Sequence, residues 1–163
     1  MNDPMNDDPG SGSIPRAPLT VRFQRLPSNP DLPLPERATD GAAGYDLCSA
    51  EADFDLEPGV PRTVATGLRM ELPAGIEGQV RPRSGLALRH AVTVPNAPGT
   101  IDPDYRGELK VALLNLGRDR VRIRRGDRVA QLVFARFETP AVESAEALSG
   151  SERGEGGFGS TGR

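Results

Sequence analysis

With 19 glycines and 16 prolines among 163 residues, this chain is interrupted too often to hold long helices. Short runs of apolar residues alternating with polar ones lie between the breaks, a pattern of many strands joined by turns. Leu19-Thr-Val-Arg-Phe-Gln-Arg-Leu26 alternates at period two and predicts a half-buried strand. Val60–Leu72 and Ile76–Pro82 predict further short strands around a Pro73-Ala-Gly75 turn, and Arg128–Phe137 predicts a long one. Pro27 to Pro35 carries four prolines and reads as an extended loop. Only Ser84-Gly-Leu-Ala-Leu-Arg-His90 favours helix, with Ser84 placed to cap it. The expected fold is all-β, a sandwich or jelly roll with one short helix. Five Phe, two Tyr and no Trp leave the core to Val, Leu, Ile and Ala.

The length suits one domain. Residues 1–18 are Pro, Gly, Ser, Asn and Asp with few apolar side chains, and read as a disordered tail. Residues 19–148 form the expected domain, and 149–163 a glycine-rich arm. A net charge of −3 gives the whole molecule no pull toward nucleic acid or membrane. No stretch approaches the roughly 20 apolar residues that span a bilayer, and the acidic N-terminus is no signal peptide, so a cytoplasmic location is expected. Cys48 is the sole cysteine, which rules out an intrachain disulfide. His90 is the sole histidine, which rules out a multi-histidine metal cluster within one chain. Glu51, Asp53, Asp55 and Glu57 share one face of a predicted strand. Calcium wants ligands converging from a loop, so this row reads as a solvated face. The arginines from Arg118 to Arg128 alternate with Val121 and Ile123 and lack interleaved aromatics, which suits a solvated or interface strand face better than a nucleic-acid strip.

Two stretches carry candidate chemistry. Asn96 to Gly107 reads N-A-P-G-T-I-D-P-D-Y-R-G and packs turn formers, two carboxylates and a tyrosine between the β-type runs Ala91–Pro95 and Leu109–Leu114. A hairpin with a rigid tip is expected there, able to hold an acid and a ring at fixed separation. In an extended tip Asp102 and Asp104 would face opposite ways and take separate roles. Arg83-Ser84-Gly85 opens the predicted helix, where N–H groups, a guanidinium fork and a hydroxyl suit phosphate.

These stretches resemble the signature motifs of the homotrimeric dUTP pyrophosphatases, the dUTPases. G-T-I-D-P-D-Y-R-G is similar to that family's G-x-I-D-x-D-Y-x-G. Ala43-Gly-Tyr-Asp-Leu47, Arg83-Ser-Gly-Leu-Ala87, Gly126-Asp-Arg-Val-Ala-Gln-Leu132 and Arg153-Gly-Glu-Gly-Gly-Phe-Gly-Ser160 fall in family order around it. The resemblance implies a distorted jelly roll of the β-clip type, assembled as a homotrimer with each site built from three subunits. It implies hydrolysis of dUTP to dUMP and pyrophosphate by water attack on the α-phosphorus, limiting uracil in DNA and supplying dUMP for thymidylate synthesis.

The same resemblance implies Asp102 as general base, which leaves Asp104 to turn geometry. Tyr105 would lie under the deoxyribose and exclude a 2′-hydroxyl, and Asn96 would read the uracil edge beside Gly99, Thr100 and Ile101. Arg83, Ser84, Gly85 and Gln131 would meet the phosphates, and Lys110 would add a substrate contact. The arm would close over the nucleotide, with Phe158 stacked on uracil and Arg153 and Gly159 near the γ-phosphate. Mg²⁺ would be held chiefly by the triphosphate, with Asp46 acting through water or bracing the site. Two alternatives stay open on the residues: a dCTP deaminase of the same fold, and a non-enzymatic jelly-roll protein.

Overall fold

The computed structural model describes residues 19–157, so the predicted tail over 1–18 and the arm positions Phe158 and Gly159 lie outside the described residues. Within it the chain runs β1(Arg22–Arg25), β2(Tyr45–Cys48), β3(Phe54–Leu56), β4(Arg62–Ala65), β5(Leu68–Glu71), β6(Ile76–Arg81), α1(Ser84–His90), β7(Val92–Thr93), β8(Gly99–Ile101), β9(Lys110–Asn115), β10(Val121–Ile123) and β11(Arg128–Arg136). The expectation of short strands and one short helix therefore holds. No described helix is long and apolar enough to cross a membrane.

Four antiparallel sheets share one core. The largest runs β2-β11-β6-β8, a second runs β4-β9-β7, and β1-β5 and β10-β3 are two-stranded. The alternation over 51–57 turns its apolar face inward as read at Phe54 and Leu56, whereas that over 19–26 forms a strand only at Arg22–Arg25, with Leu19 exposed and Val21 and Phe23 partly buried. Phe54 and Leu56, Leu68 and Met70, Ile76 and Val80, and Val111 and Leu113 are all buried. Complete burial of one such aliphatic side chain contributes about 1.5–3 kcal/mol, which lets a core nearly free of aromatics suffice. Gly67 and Gly75 make the corners flanking β5 at φ 63 and 74, left-handed values that other residues resist.

The acidic row behaves as a surface face, but not a bare one. Asp53 and Asp55 meet Arg120 and Arg122 at 3.3–3.7 Å, and β10 pairs with β3 in the register Arg122↔Asp55. These two carboxylates neutralise arginines on and beside the adjacent strand, while Glu51 pairs with Arg62, Arg125 with Asp31 and Arg128 with Asp46.

Several local expectations need correction. Pro27–Pro35 is not simply extended: it bends through turns, and Asn29 is buried with its amide donating to Thr66 O at 2.8 Å. Ser84 does not cap α1; Arg83 occupies the cap position, without a side-chain cap bond, and Ser84 is the first helical residue. Asp102 and Asp104 do not sit in an extended tip. The Tyr105 N–H donates to Asp102 O at 3.1 Å, so residues 102–105 form a turn with Pro103 at its second position, where proline's fixed φ fits.

Candidate functional site

Three separated parts of the chain converge on one cleft of about 390 Å³. Gly44 and Asp46 come from the first motif, Arg83, Ser84 and Gly85 from the second, and Arg128 and Gln131 from the fourth. The sheet explains the meeting. β11 lies between β2 and β6, with Gln131 opposite Asp46 on one side and Arg81 on the other. β6 then runs directly through Pro82 into α1, delivering Arg83 to the same edge.

The cleft is internally braced. Asp46 Oδ1 lies 2.9 Å from Arg83 Nε, and Oδ2 accepts from Arg128 Nη1 at 2.9 Å. Arg83 Nη1 donates to the Arg128 carbonyl at 3.0 Å. Gln131 Nε2 donates to Pro82 O at 2.9 Å, which turns its Oε1 toward Gly44. A Cβ at Gly44 would stand 2.3 Å from that oxygen, so the first motif's glycine clears the space Gln131 fills. At the half-buried Cys48, burial first and then the Asp46 carboxylate push the thiol above its ordinary range, which disfavours the thiolate.

The hairpin residues form a second group. β7 pairs with the end of β9 as read, Val92↔Asn115 and Thr93↔Leu114. The segment between does not stay a two-stranded tip, because β8 leaves to pair with β6 in the larger sheet, Gly78↔Ile101 to Val80↔Gly99. Gly99 is buried, and a Cβ there would stand 3.1 Å from Asn96 Nδ2 and 3.5 Å from Val80. Thr100 faces out beside Ile101.

The segment is tied down by hydrogen bonds that only the fold supplies. Thr66 Oγ1 donates to Leu109 O at 2.6 Å, and Glu108 Oε1 accepts from the Gly67 N–H at 2.9 Å. Tyr105 OH donates to Glu108 O at 3.0 Å, with its ring over Gly107, where a Cβ would meet the phenol oxygen at 2.3 Å. The ring stays 44% exposed and Asp102 is exposed, both open to a ligand or a neighbouring surface. Lys110 Nζ lies 3.7 Å from Glu108 Oε2 on the outward face of β9, while Leu109 and Val111 point into the core.

One chain does not bring all the candidates together. Asp102 and Tyr105 are not among the residues lining the Arg83 cleft. A neighbouring cleft of about 400 Å³, lined by Arg81, Pro82, Ala97, Pro98 and Gln131, brings only the hairpin's shoulder up to Gln131. The described arm residues fold on themselves, Arg153 Nε donating to Gly156 O at 2.6 Å. Arg128, expected as the end of a solvated or interface arginine face, instead turns into this cleft and holds Asp46. It lies inside the quoted fourth motif, and its only signal was an arginine three positions before Gln131.

The comparisons agree among themselves. The dUTPase family model matches residues 31–162. The deoxyuridine 5′-triphosphate nucleotidohydrolase of Solibacter usitatus (strain Ellin6076) is 55% identical over 146 residues, 89% of this chain and 97% of that protein. The enzyme of the same name from Anaeromyxobacter sp. (strain Fw109-5) is 54% identical over 147 residues, 90% and 99%. Among solved structures, the dUTPase of Staphylococcus bacteriophage 80alpha with dUPNHPP superposes with a TM-score of 0.78 at 31% identity, covering 88% of this chain and 99% of that one. An aspartate-to-asparagine mutant of the dUTPase from phage phi11 of S. aureus, whose structure reveals the coordination of a structural Mg(II) ion in that protein, gives a TM-score of 0.71 at 25% identity, covering 79% and 98%.

Proposed function

Because this chain belongs to the dUTPase family, a jelly-roll family of hydrolases that cleave dUTP to dUMP and pyrophosphate, we propose that the two residue groups described above are the two halves of one site completed between subunits. The carrying observation is the convergence of the first, second and fourth motifs on one braced, arginine-bearing cleft. The cleft takes the triphosphate: Arg83 and Gln131 meet its oxygens with Ser84 and the Gly85 backbone. The hairpin of a second subunit takes the nucleoside. Asn96 and the backbone of Gly99, Thr100 and Ile101 read the uracil edge, and Tyr105 underlies the sugar and leaves no room for a 2′-hydroxyl. Lys110 borders the same pocket. The arm of a third subunit, residues 149–163, closes over both, bringing Arg153, Phe158 and Gly159 and excluding bulk water. The assembly is a homotrimer working in the cytoplasm, and its product supplies dUMP while keeping uracil out of DNA.

In this reading Asp102 accepts a proton from water as the water oxygen bonds to the α-phosphorus. The bond from that phosphorus to the α–β bridging oxygen breaks, and pyrophosphate leaves. Negative charge shed onto the departing phosphates is met by the cleft arginines. The donor set suits Mg²⁺ only as an ion carried by the nucleotide. Among the described residues no group of three or more His, Cys, Asp or Glu could hold a metal, and both Asp46 oxygens already face arginines. Phosphate oxygens would supply most ligands, with Asp46 reached through water. Bound there, the ion would neutralise charge on the phosphates.

The test is Asp102→Asn. Pyrophosphate release is expected to fall by about 10²- to 10⁴-fold, the usual worth of a general base, while a non-hydrolysable dUTP analogue binds as before. Full turnover in that variant would remove Asp102 from its role.

A further inference from the structure

The strongest unassigned feature is a charge arrangement inside the cleft. A single carboxylate from β2 bridges two guanidiniums that arrive from different elements: Asp46 Oδ1 faces Arg83 Nε and Oδ2 holds Arg128 Nη1, each at 2.9 Å. The triangle closes through Arg83 Nη1 on the Arg128 carbonyl at 3.0 Å. Asp46 is itself fixed, its N–H donating to Glu36 O at 2.9 Å and its backbone in register with Gln131. Arg120 and Arg122 are taken by Asp53 and Asp55, and Arg81, which also lines the cleft, donates from Nε to Gln79 Oε1 at 3.1 Å.

Two guanidiniums this close repel each other unless an anion sits between them. The carboxylate removes that repulsion and leaves a net positive charge on the pair. It also sets the rotamers of two long side chains before any ligand arrives, so binding does not have to order them. Arg83 uses Nε and Nη1 in these contacts, leaving Nη2 for a phosphate oxygen. The Arg128 side chain remains 54% exposed although one nitrogen is held. Resting on the functional reading above, we propose that Asp46 is a positioning residue that holds Arg83 and Arg128 as a matched pair, and that Arg128 is a second guanidinium for the substrate's triphosphate.

The alternative roles for Asp46 predict different signs. Asparagine at 46 keeps the shape but turns an amide NH₂ toward one guanidinium. Were Asp46 only a negative charge near the phosphates, Asp46→Asn would tighten binding. Were it only a holder of metal-bound water, the variant would lose affinity with Mg²⁺ and not without it.

The experiment is a calorimetric titration of wild type, Asp46→Asn, Arg128→Gln and the double variant with dUpNHpp, in Mg²⁺ and in EDTA. Loss of a charge-assisted contact weakens binding by about tenfold to a hundredfold. That loss is expected for each single variant in both buffers, with the double variant losing less than the product of the two. Unchanged or tighter binding of Asp46→Asn in EDTA overturns the proposal, and so does a loss confined to Mg²⁺. Should Asp46→Asn fail to fold by circular dichroism, Arg128→Gln decides alone: wild-type affinity in EDTA overturns it. Failure of wild type to bind dUpNHpp would instead defeat the functional reading itself.

Discussion

Replacing Gly44 by alanine should damage catalysis far more than stability. Gly44 is not among the glycines with positive φ, so alanine meets no backbone penalty there. The new Cβ would stand 2.3 Å from Gln131 Oε1 and 3.2 Å from its Cδ. Only the far end of a flexible side chain is in the way, so Gln131 turns aside rather than the sheet opening. Turning costs an off-rotamer strain of about 0.5–1.5 kcal/mol and the hydrogen bond to Pro82 O, about 1 kcal/mol, so melting falls only modestly. The displaced amide no longer reaches the phosphates. A hydrogen bond to a charged group is worth about 1.5–3 kcal/mol, so kcat/KM should fall by about 10- to 150-fold. Continuous assay of pyrophosphate release from dUTP measures it, with thermal melting alongside. Gln131→Ala should show a similar loss, and adding Gly44→Ala to it should cost little more. A folded Gly44→Ala enzyme within about twofold of wild type would refute the argument that this glycine exists to seat Gln131.

Other outcomes follow from the same structure. Leu113→Ala, at a fully buried position on β9, should lower unfolding free energy by about 2–5 kcal/mol in urea titrations, while the folded fraction keeps its activity. Burial raises the Glu51 carboxyl, but Arg62 at 2.8 Å and the Ala65 N–H at 2.9 Å outweigh it and hold Glu51 below the ordinary glutamate range. With the folded value depressed, its stabilisation is complete above the unfolded pKa and is lost as pH falls through the folded one. Glu51→Gln should therefore melt below wild type at neutral pH, and the gap should close in acid below the usual glutamate range; a gap unchanged with pH would show that Glu51 acts through packing. A chain ending at Glu152 should lose most of its turnover while keeping its oligomeric state by light scattering, and retained turnover would exclude the arm from catalysis.

The apolar runs over residues 54–56, 68–71, 76–81 and 110–115 were enough to assign strands, and alternation gave the buried face at Phe54 and Leu56, because a period of two has only one way to bury itself. Glycine and proline spacing was enough to exclude long helices. The turn at Asp102 was readable as a turn, but not as the 102–105 hydrogen-bonded turn, since proline-rich tips adopt several shapes until neighbours fix one. Ser84 as a cap was a sound local inference that the chain's path out of Pro82 overrode, placing Arg83 in that position.

What the amino acids determined alone was chemistry by type: which carboxylates, rings and arginines exist, and which short stretches hold them. Their partnership belongs to tertiary structure. Asp46, Arg83 and Arg128 are distant in sequence, and they meet because β11 lies between β2 and β6 and because the latter leads straight into α1. No local pattern encodes that adjacency, since strand order is settled by how the whole core packs rather than by any one strand.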